Sequence, residues 1–357
     1  MARLGDVCKK GTSNIAQKDL EGHSGNYPIY GASGFIANVD FYQQDNPYIA
    51  VVKDGAGIGR IMKLPAKSSV IGTMQYIIPN DNVDISYLAY AMEHMNLSKY
   101  FTGATIPHIY FKDYQKEDLP LPPLDAQRHI AAVLDKVSDL IAKRCQQLDK
   151  LDLLIKARFV EMFDLSACTY GMLSDNTEFV DYRGHTPTLS DDGNIRMVNA
   201  KSVGKGVFKY VEEYVTEKTY DSWMHRGFGY PGDVLFVTEG HTFGNACQVP
   251  QGLTKFALGQ RVITIQGHRG IINNAFLCAY MQTDKFIKDI AMYKTGGTAQ
   301  GIRSKDLGKV EVPLYPYGQQ ETFKKFVDQT EKAKTTISKS LEKLETLKKA
   351  LMQEYFG

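Results

Sequence analysis

The sharpest chemical signature in this chain is a glycine loop, Asp54-Gly55-Ala56-Gly57-Ile58-Gly59, separated only by Lys53 from the apolar run Ile49-Ala50-Val51-Val52. Such a loop can bring backbone N–H groups against the phosphates of a dinucleotide, or hold S-adenosylmethionine. It does so only where a helix follows and aims its N-terminus at the ligand. Here Arg60-Ile61-Met62-Lys63-Leu64-Pro65 follows, with a proline and no helical periodicity. The spacing therefore predicts a turn. Metal-dependent nucleases of the (D/E)-x-K kind need an acidic residue two positions before a lysine, placing a metal ligand beside a charge stabiliser. No lysine of the chain has one. The eight histidines form no H-E-x-x-H pair, and His108 and His241 read as polar loop residues. The cysteines (Cys8, Cys145, Cys168, Cys247, Cys278) are odd in number and never spaced C-x-x-C. Neither a disulfide framework nor a cysteine zinc site fits them.

Asn46-Pro47-Tyr48 resembles the Asn-Pro-Pro-Tyr motif of adenine-N6 methyltransferases, but it lacks the second proline and a cofactor loop. What remains is recognition. Loops that mix glycine, hydroxyl, amide and basic side chains occur in both halves of the chain. Arg, Asn and Gln can read base edges, while Lys, Ser, Thr and backbone N–H groups hold phosphates. The candidate DNA-contacting residues of the first half are Ser33, Lys53, Arg60, Thr73, Gln75, Thr105, His108 and Lys112. Those of the second half are Arg183, Thr186, Asn199, Lys201, Thr238, Thr242, Gln260, Arg261, Gln300, Arg303 and Lys305. The 42 Lys and Arg are nearly balanced by 40 Asp and Glu. A nucleic-acid binder of this composition must pattern its basic residues locally, or take more from a partner.

The elements that would position these loops are duplicated. Lys112 to Phe163 aligns without a gap on Lys305 to Phe356, and 16 of the 52 pairs are identical. They include Pro120/Pro313, Pro123/Pro316, Gln127/Gln320, Leu148/Leu341 and Leu154/Leu347. A weaker match, at an offset of 185, pairs Val51 to Gly59 with Phe236 to Gly244, and Gln75 is aligned with Gln260. The repeated segments read as helices with apolar residues in steps of four and three, a heptad stripe. The first seam runs through Leu134, Ile141, Leu148, Leu151 and Ile155. The second runs through Val327, Ile337, Leu341, Leu344 and Leu351, interrupted by Thr330, Lys334 and Lys348. At about 40 residues each would be roughly 60 Å long, and so narrow a stripe needs a second helix to cover it. Duplication favours an antiparallel pair, in which Leu148 and Leu341 should be buried. The globular parts carry strand composition at Pro47 to Lys53, Arg60 to Leu64, Ser69 to Pro79, Asp233 to Gly240 and Phe256 to Gln266. Each also has one amphipathic helix, near Asp84 to Phe101 and Asn274 to Tyr293, ending before Gly103 and before Gly296 and Gly297.

The predicted fold class is α/β of the α+β kind. Two β-rich globular domains are separated by two long helices in an antiparallel coiled coil, as an internal tandem duplication. The boundaries are 1–122, 123–166, 167–316 and 317–357. No apolar run approaches ~18 residues, so no membrane-spanning helix is expected. The start, MARLGDVCKK, lacks the apolar core of a signal peptide, and the expected location is cytoplasmic.

The YGASGF and YRGHTP segments, and the KD…P-L-x-P…Q run before each long helix, resemble the specificity subunit of type I restriction–modification systems. The resemblance covers essentially the whole chain. It implies that 1–122 and 167–316 are target recognition domains, each reading one half of a bipartite site on double-stranded DNA. It implies that the helices at 123–166 and 317–357 space the two and dock two copies of a methyltransferase subunit. It further implies S-adenosylmethionine in that partner, ATP and Mg in a restriction/translocase partner, and neither cofactors nor catalytic residues in this chain. Gly31-Ala32-Ser33 does not match Arg183-Gly184-His185, so the two half-sites should differ. Two other classes stay open. A coiled-coil scaffold would show no salt-dependent DNA affinity. A self-contained adenine methyltransferase would bind S-adenosylmethionine by itself.

Overall fold

The continuous apolar runs become central strands: Tyr48–Val52 and Val234–Val237 are buried at every position. A computed structural model describes residues 1–103, 107–182, 184, 186–295 and 300–357. It contains two compact units, Met1–Cys145 with Lys339–Gly357, and Gln146–Ser338. Each unit takes part of both long helices, a division that differs from boundaries drawn along the chain.

The first unit holds strands β1 (Ala2–Arg3), β2 (Cys8–Thr12), β3 (Tyr27–Gly31), β4 (Gly34–Val39), β5 (Tyr48–Val52), β6 (Ile61–Leu64), β7 (Ser69–Val70), β8 (Met74–Pro79) and β9 (Asp118–Leu119). The second holds β10 (Thr169–Met172), β11 (Thr177–Asp181), β12 (Ile195–Val198), β13 (Tyr214–Val215), β14 (Val234–Val237), β15 (Ala246–Gln248), β16 (Phe256–Leu258), β17 (Val262–Gly267) and β18 (Glu311–Leu314). Their sheets have one topology. The order β2-β8-β5-β6 repeats as β11-β17-β14-β15, β4-β3-β7 as β13-β12-β16, and β1-β9 as β10-β18. Even the parallel pairs, β3 with β7 and β12 with β16, correspond. The duplication read from the helices thus extends to every sheet.

A helix covers the larger sheet of each unit. Ile85–His94 is capped by Asp84, whose carboxylate accepts from the Ser86 and Tyr87 N–H groups. It buries Leu88, Ala91 and Met92 with Ile49, Val51 and Ile77. In the second unit Asn274–Tyr280, capped by the Asn273 side chain, buries Phe276, Leu277 and Tyr280 with Phe236, Ile263 and Ile265. The expectation of one helix over 84–101 and one over 274–293 needs correction. The first stops at His94, because Asn96 adopts φ 51°, and a 3₁₀ turn follows at Leu97–Tyr100. The second breaks at Thr283, whose hydroxyl caps a separate helix, Asp284–Ala291. Asn in the left-handed region and Thr as a cap both end one helical run and allow another. Gly103 lies beyond the 3₁₀ turn, and Gly296 and Gly297 lie outside the described residues.

The two long helices span Leu124–Met162 and Tyr317–Phe356. Pro123 and Pro316 precede them, where a missing N–H breaks nothing. In the first unit the beginning of one helix (Ile130, Leu134) packs with the end of the other (Leu351, Met352, Tyr355). In the second unit the end of the first helix (Ile155, Phe159, Phe163) packs with the beginning of the second (Phe323, Val327). Beginning against end is the antiparallel arrangement. The polar interruptions of the seam are also partnered. Lys334 lies 2.7 Å from Asp152 on the opposite helix and 2.8 Å from Glu331. Burial alone would lower the Lys334 ammonium, but those two carboxylates outweigh it and raise it. Lys348 pairs with Glu93 and lies over the Tyr90 ring.

Burial along the seam differs from expectation. Leu134 and Val327 are buried, whereas Ile141, Leu148, Leu151, Ile155, Ile337, Leu341, Leu344 and Leu351 are only half-buried. Sheets and covering helices shield the seam near each globular part. Elsewhere, a helix pair shields a leucine from one side only. Leu148→Ala and Leu341→Ala should therefore each cost about 1–2 kcal/mol, below the roughly 2–5 kcal/mol of a fully buried leucine. Urea midpoints of the two variants measure this, and a loss near 4 kcal/mol in either would contradict it.

Candidate nucleic-acid interface

The same backbone hydrogen bonds gather the candidate loops in both units. In the first, the Lys53 N–H donates to the Thr73 carbonyl at 3.0 Å, Gly55 to Pro107 at 3.0 Å, and Ile109 to Lys53 at 2.9 Å. In the second, Thr238 donates to Arg261 at 3.0 Å, Gly240 to Gln300 at 3.0 Å, and Ile302 to Thr238 at 2.9 Å. Three segments meet in each unit: the glycine loop, the turn between the two sheets, and the loop ahead of a long helix. A fourth segment joins them. Arg60 Nη1 donates to the Ala32 carbonyl at 2.8 Å, tying the glycine loop to the β3–β4 hairpin. In the second unit Thr242 and Asn245 donate to the carbonyls of Ala200 and Val203, which follow β12.

The glycines serve these turns. Gly59 has φ +78°, and a Cβ there would lie 2.6 Å from the Ser98 nitrogen. Its chain neighbour is strand β6, which pairs with β5, so the loop is a hairpin connection rather than the mouth of a helix.

The strand registers correct one sequence alignment and supply a counterpart for a loop that had none. Val51 faces Gln75 across β5 and β8, and its counterpart Phe236 faces Ile263 across β14 and β17. Gln75 is thus equivalent to Ile263, not to Gln260, and Thr73 is equivalent to Arg261. The counterpart of Gly31-Ala32-Ser33 is not Arg183-Gly184-His185. Ile71 donates to Tyr30 as Gly259 donates to Val198, which places Asn199-Ala200-Lys201 at that position. Ser13, directly after β2, matches Tyr182, directly after β11, and Ile15 accepts from the Gly72 N–H. Asn14, between Ser13 and Ile15, is exposed and was not among the candidates.

Arg60, Thr73 and Lys112 are exposed, as is Ser33 at the hairpin tip, while Lys53 and His108 are half-buried. In the second unit Thr186, Lys201, Arg261, Gln300, Arg303 and Lys305 are exposed, and Asn199, Thr242 and Gln260 half-buried. Two candidates turn inward. Gln75 is 3% exposed and Thr238 0%, Thr238 giving its hydroxyl to the Arg261 carbonyl. Neither side chain is at the surface, because both faces of β8 are covered from Met74 to Ile77 and Thr238 begins the turn beneath the loops. Thr105 and Arg183 lie outside the described residues.

Several basic side chains on these faces are held by acids. Asp54 Oδ1 lies 2.6 Å from His108 Nδ1, and Lys53 Nζ lies 3.8 Å from the other Asp54 oxygen. Glu239, the counterpart of Asp54, accepts from Arg261 Nε at 3.1 Å. Lys201 pairs with Glu213, and Lys112 lies over the Tyr110 ring.

Residues 1–151 and 178–349 both match the family model described as the type I restriction modification DNA specificity domain. The chain belongs to this family. It is 22% identical to the type I restriction enzyme MjaVIII specificity subunit of Methanocaldococcus jannaschii, over 99% of this chain and 90% of that one. The crystal structure of the type I restriction-modification system S subunit from M. genitalium superposes with a TM-score of 0.66. It is 14% identical and covers 100% of this chain and 95% of that one. A chain from a structural study of complex assembly and conformational transition of the type I R-M system gives a TM-score of 0.52. Its identity is 15%, over 99% of this chain and 96% of that one. The first two of these relatives are specificity subunits, a role without catalysis. Among the described residues no helix is long and apolar enough to cross a membrane.

In this specificity-family chain the repeated glutamine has a structural task that spacing alone does not reveal. Gln127 is 1% exposed; its Oε1 accepts from the Asp84 N–H, and its Nε2 donates to the carbonyls of Asn82 and Pro122. Gln320 is 0% exposed, accepts from Asn273 and donates to Ile271 and Tyr315. Each clamps the start of a long helix to the cap of the helix that covers its unit's sheet. The signal was present as an identity in the repeat, but the cap residues that each glutamine holds lie more than 40 residues away.

Proposed function

We propose that this chain is the DNA-reading subunit of a type I restriction-modification complex, and that it reads a bipartite, asymmetric target on double-stranded DNA, one half-site per unit. The carrying observation is a shared backbone frame with different side chains on it. Thr73 stands where the second unit has Arg261, Tyr110 where it has Arg303, and Ser33 where it has Lys201. Equal frames dock alike on duplex DNA, and unequal side chains select different bases. The helix pair sets the distance between the half-sites. It also docks two copies of a methyltransferase subunit. Leu154 and Leu347, identical in the repeat, are both 46% exposed, so one partner can use the same surface twice. Those copies bring S-adenosylmethionine, and a restriction/translocase subunit brings ATP and Mg. The partners also supply positive charge that a chain with a net charge of +2 does not.

The isolated chain should transfer no methyl group, and should support methylation only with its methyltransferase partner. Methylation mapping of cells with and without this chain tests that reading. In the same assay Arg303→Ala should alter one half-site, and Arg60→Ala the other. Methyl transfer by the highly purified single chain, or a change in both half-sites from Arg303→Ala, would sink the proposal.

A further inference from the structure

Asp54 and Glu239 stand at the same place in the two recognition faces. Each forms a backbone bridge to the loop ahead of a long helix, Asp54 with His108 and Glu239 with Gly301. Each holds a basic side chain from outside its own loop, and that base comes from a different segment in each unit; Asp54 also lies 3.8 Å from its chain neighbour Lys53. Glu239 takes Arg261, from the turn between the sheets, whose counterpart in the first unit is Thr73. Asp54 takes His108, from the loop ahead of the helix, whose counterpart in the second unit is Gly301. The acid has kept its position while the base has moved. On a surface that meets phosphates a carboxylate is repelled, so its presence at this position in both units calls for a local role.

The geometry supplies one. A guanidinium carries its donors in a rigid plane. The hydrogen bond that Nε donates to Glu239 sets that plane and leaves the two Nη groups as a pair, the arrangement that matches O6 and N7 of guanine. The Arg261 side chain is 54% exposed, so the pair is accessible. Held through Nδ1, the His108 ring has only Nε2 left, one contact in place of two. We propose that Arg261 reads a guanine in the half-site of the second unit, and that Glu239 is its positioning residue. Asp54 plays the matching part for His108 in the first unit. This rests on the DNA-reading function proposed above.

The test uses the complex with its methyltransferase partner and a duplex carrying the mapped target. Each guanine is replaced in turn by 7-deazaguanine, which lacks the N7 acceptor. One replacement should weaken binding of the unaltered complex by about five- to a hundredfold, and the same replacement should be silent in Arg261→Ala. Arg261→Lys, whose ammonium can still donate to N7 but lacks the planar pair of donors, should keep only part of the sensitivity to that replacement. Glu239→Gln, which keeps an acceptor, should retain it, while Glu239→Ala should lose most of it. Arg60→Ala, on the other face, should leave that coupling intact. If Arg261→Ala weakens target and scrambled duplex equally and lowers the salt slope by about one, Arg261 holds a phosphate and the inference is overturned. It is also overturned if no guanine couples to Arg261 while target binding stays specific. Failure of the unaltered complex to prefer its target would instead defeat the functional proposal itself.

Discussion

Gln320→Leu should lower the stability of the second unit by about 3–5 kcal/mol, although it replaces a polar residue by an apolar one of similar size. The Gln320 amide is buried and makes three hydrogen bonds, to the Asn273 N–H and to the carbonyls of Ile271 and Tyr315. Leucine leaves all three backbone groups without that partner, and an orphaned buried group costs about 1–3 kcal/mol. The gain from burying leucine, about 1.5–3 kcal/mol at most, offsets only part of this. The loss should also loosen the Asn273 cap, since the Asn273 N–H is one of the groups released. Gln127→Leu should do the same to the first unit, through Asp84, Asn82 and Pro122. The two sites share no partner, so their effects should add within about 0.5 kcal/mol. Urea unfolding of the single and double variants decides the matter. A Gln320→Leu protein within about 0.5 kcal/mol of the parent would falsify the clamp.

Inserting four residues near Arg144, together with four near Ile337, should produce a complex that methylates a target with a longer spacer and unchanged half-site bases. Four residues lengthen a helix by about 6 Å. That is nearly two base steps at roughly 3.4 Å each. Four residues also make about one turn, so each seam returns to nearly the same face. The single insertions should do worse than the pair. Each leaves one helix longer than its partner and shifts the half-buried leucines Leu148, Leu151, Leu341 and Leu344 out of register. Methylome sequencing of cells carrying each variant reads the outcome. New half-site bases with the old spacer would show that the helices do not act as a ruler.

Much of this architecture was legible without coordinates, for a physical reason. Heptad stripes, helix-starting prolines and apolar strand runs are local patterns, and Leu124–Met162, Tyr317–Phe356, Tyr48–Val52 and Val234–Val237 form where those patterns stand. The duplication was legible because the helical segments repeat without a gap. Register was not. Between β6 and β7 the offset changes from 185 to 188, and an apolar strand such as Val262–Gly267 looks alike after a shift. Only the cross-strand hydrogen bonds of Val51 and Phe236 show that Gln75 belongs with Ile263. Which face a polar residue takes was equally hidden, so Gln75 and Thr238 went unrecognised as interior.

By itself, then, the sequence determined that this protein is a duplicated, loop-bearing, helix-linked chain without a recognisable catalytic constellation. Those properties rest on residue type and short-range periodicity. Tertiary structure alone decided that Gln127 and Gln320 are clamps, that four segments share one face in each unit, and that Asp54 and Glu239 hold different bases. His108 lies 54 residues from Asp54, and Arg261 lies 22 from Glu239. Contacts at such separations are set by which strands pair and in what register, and no local spacing encodes that choice.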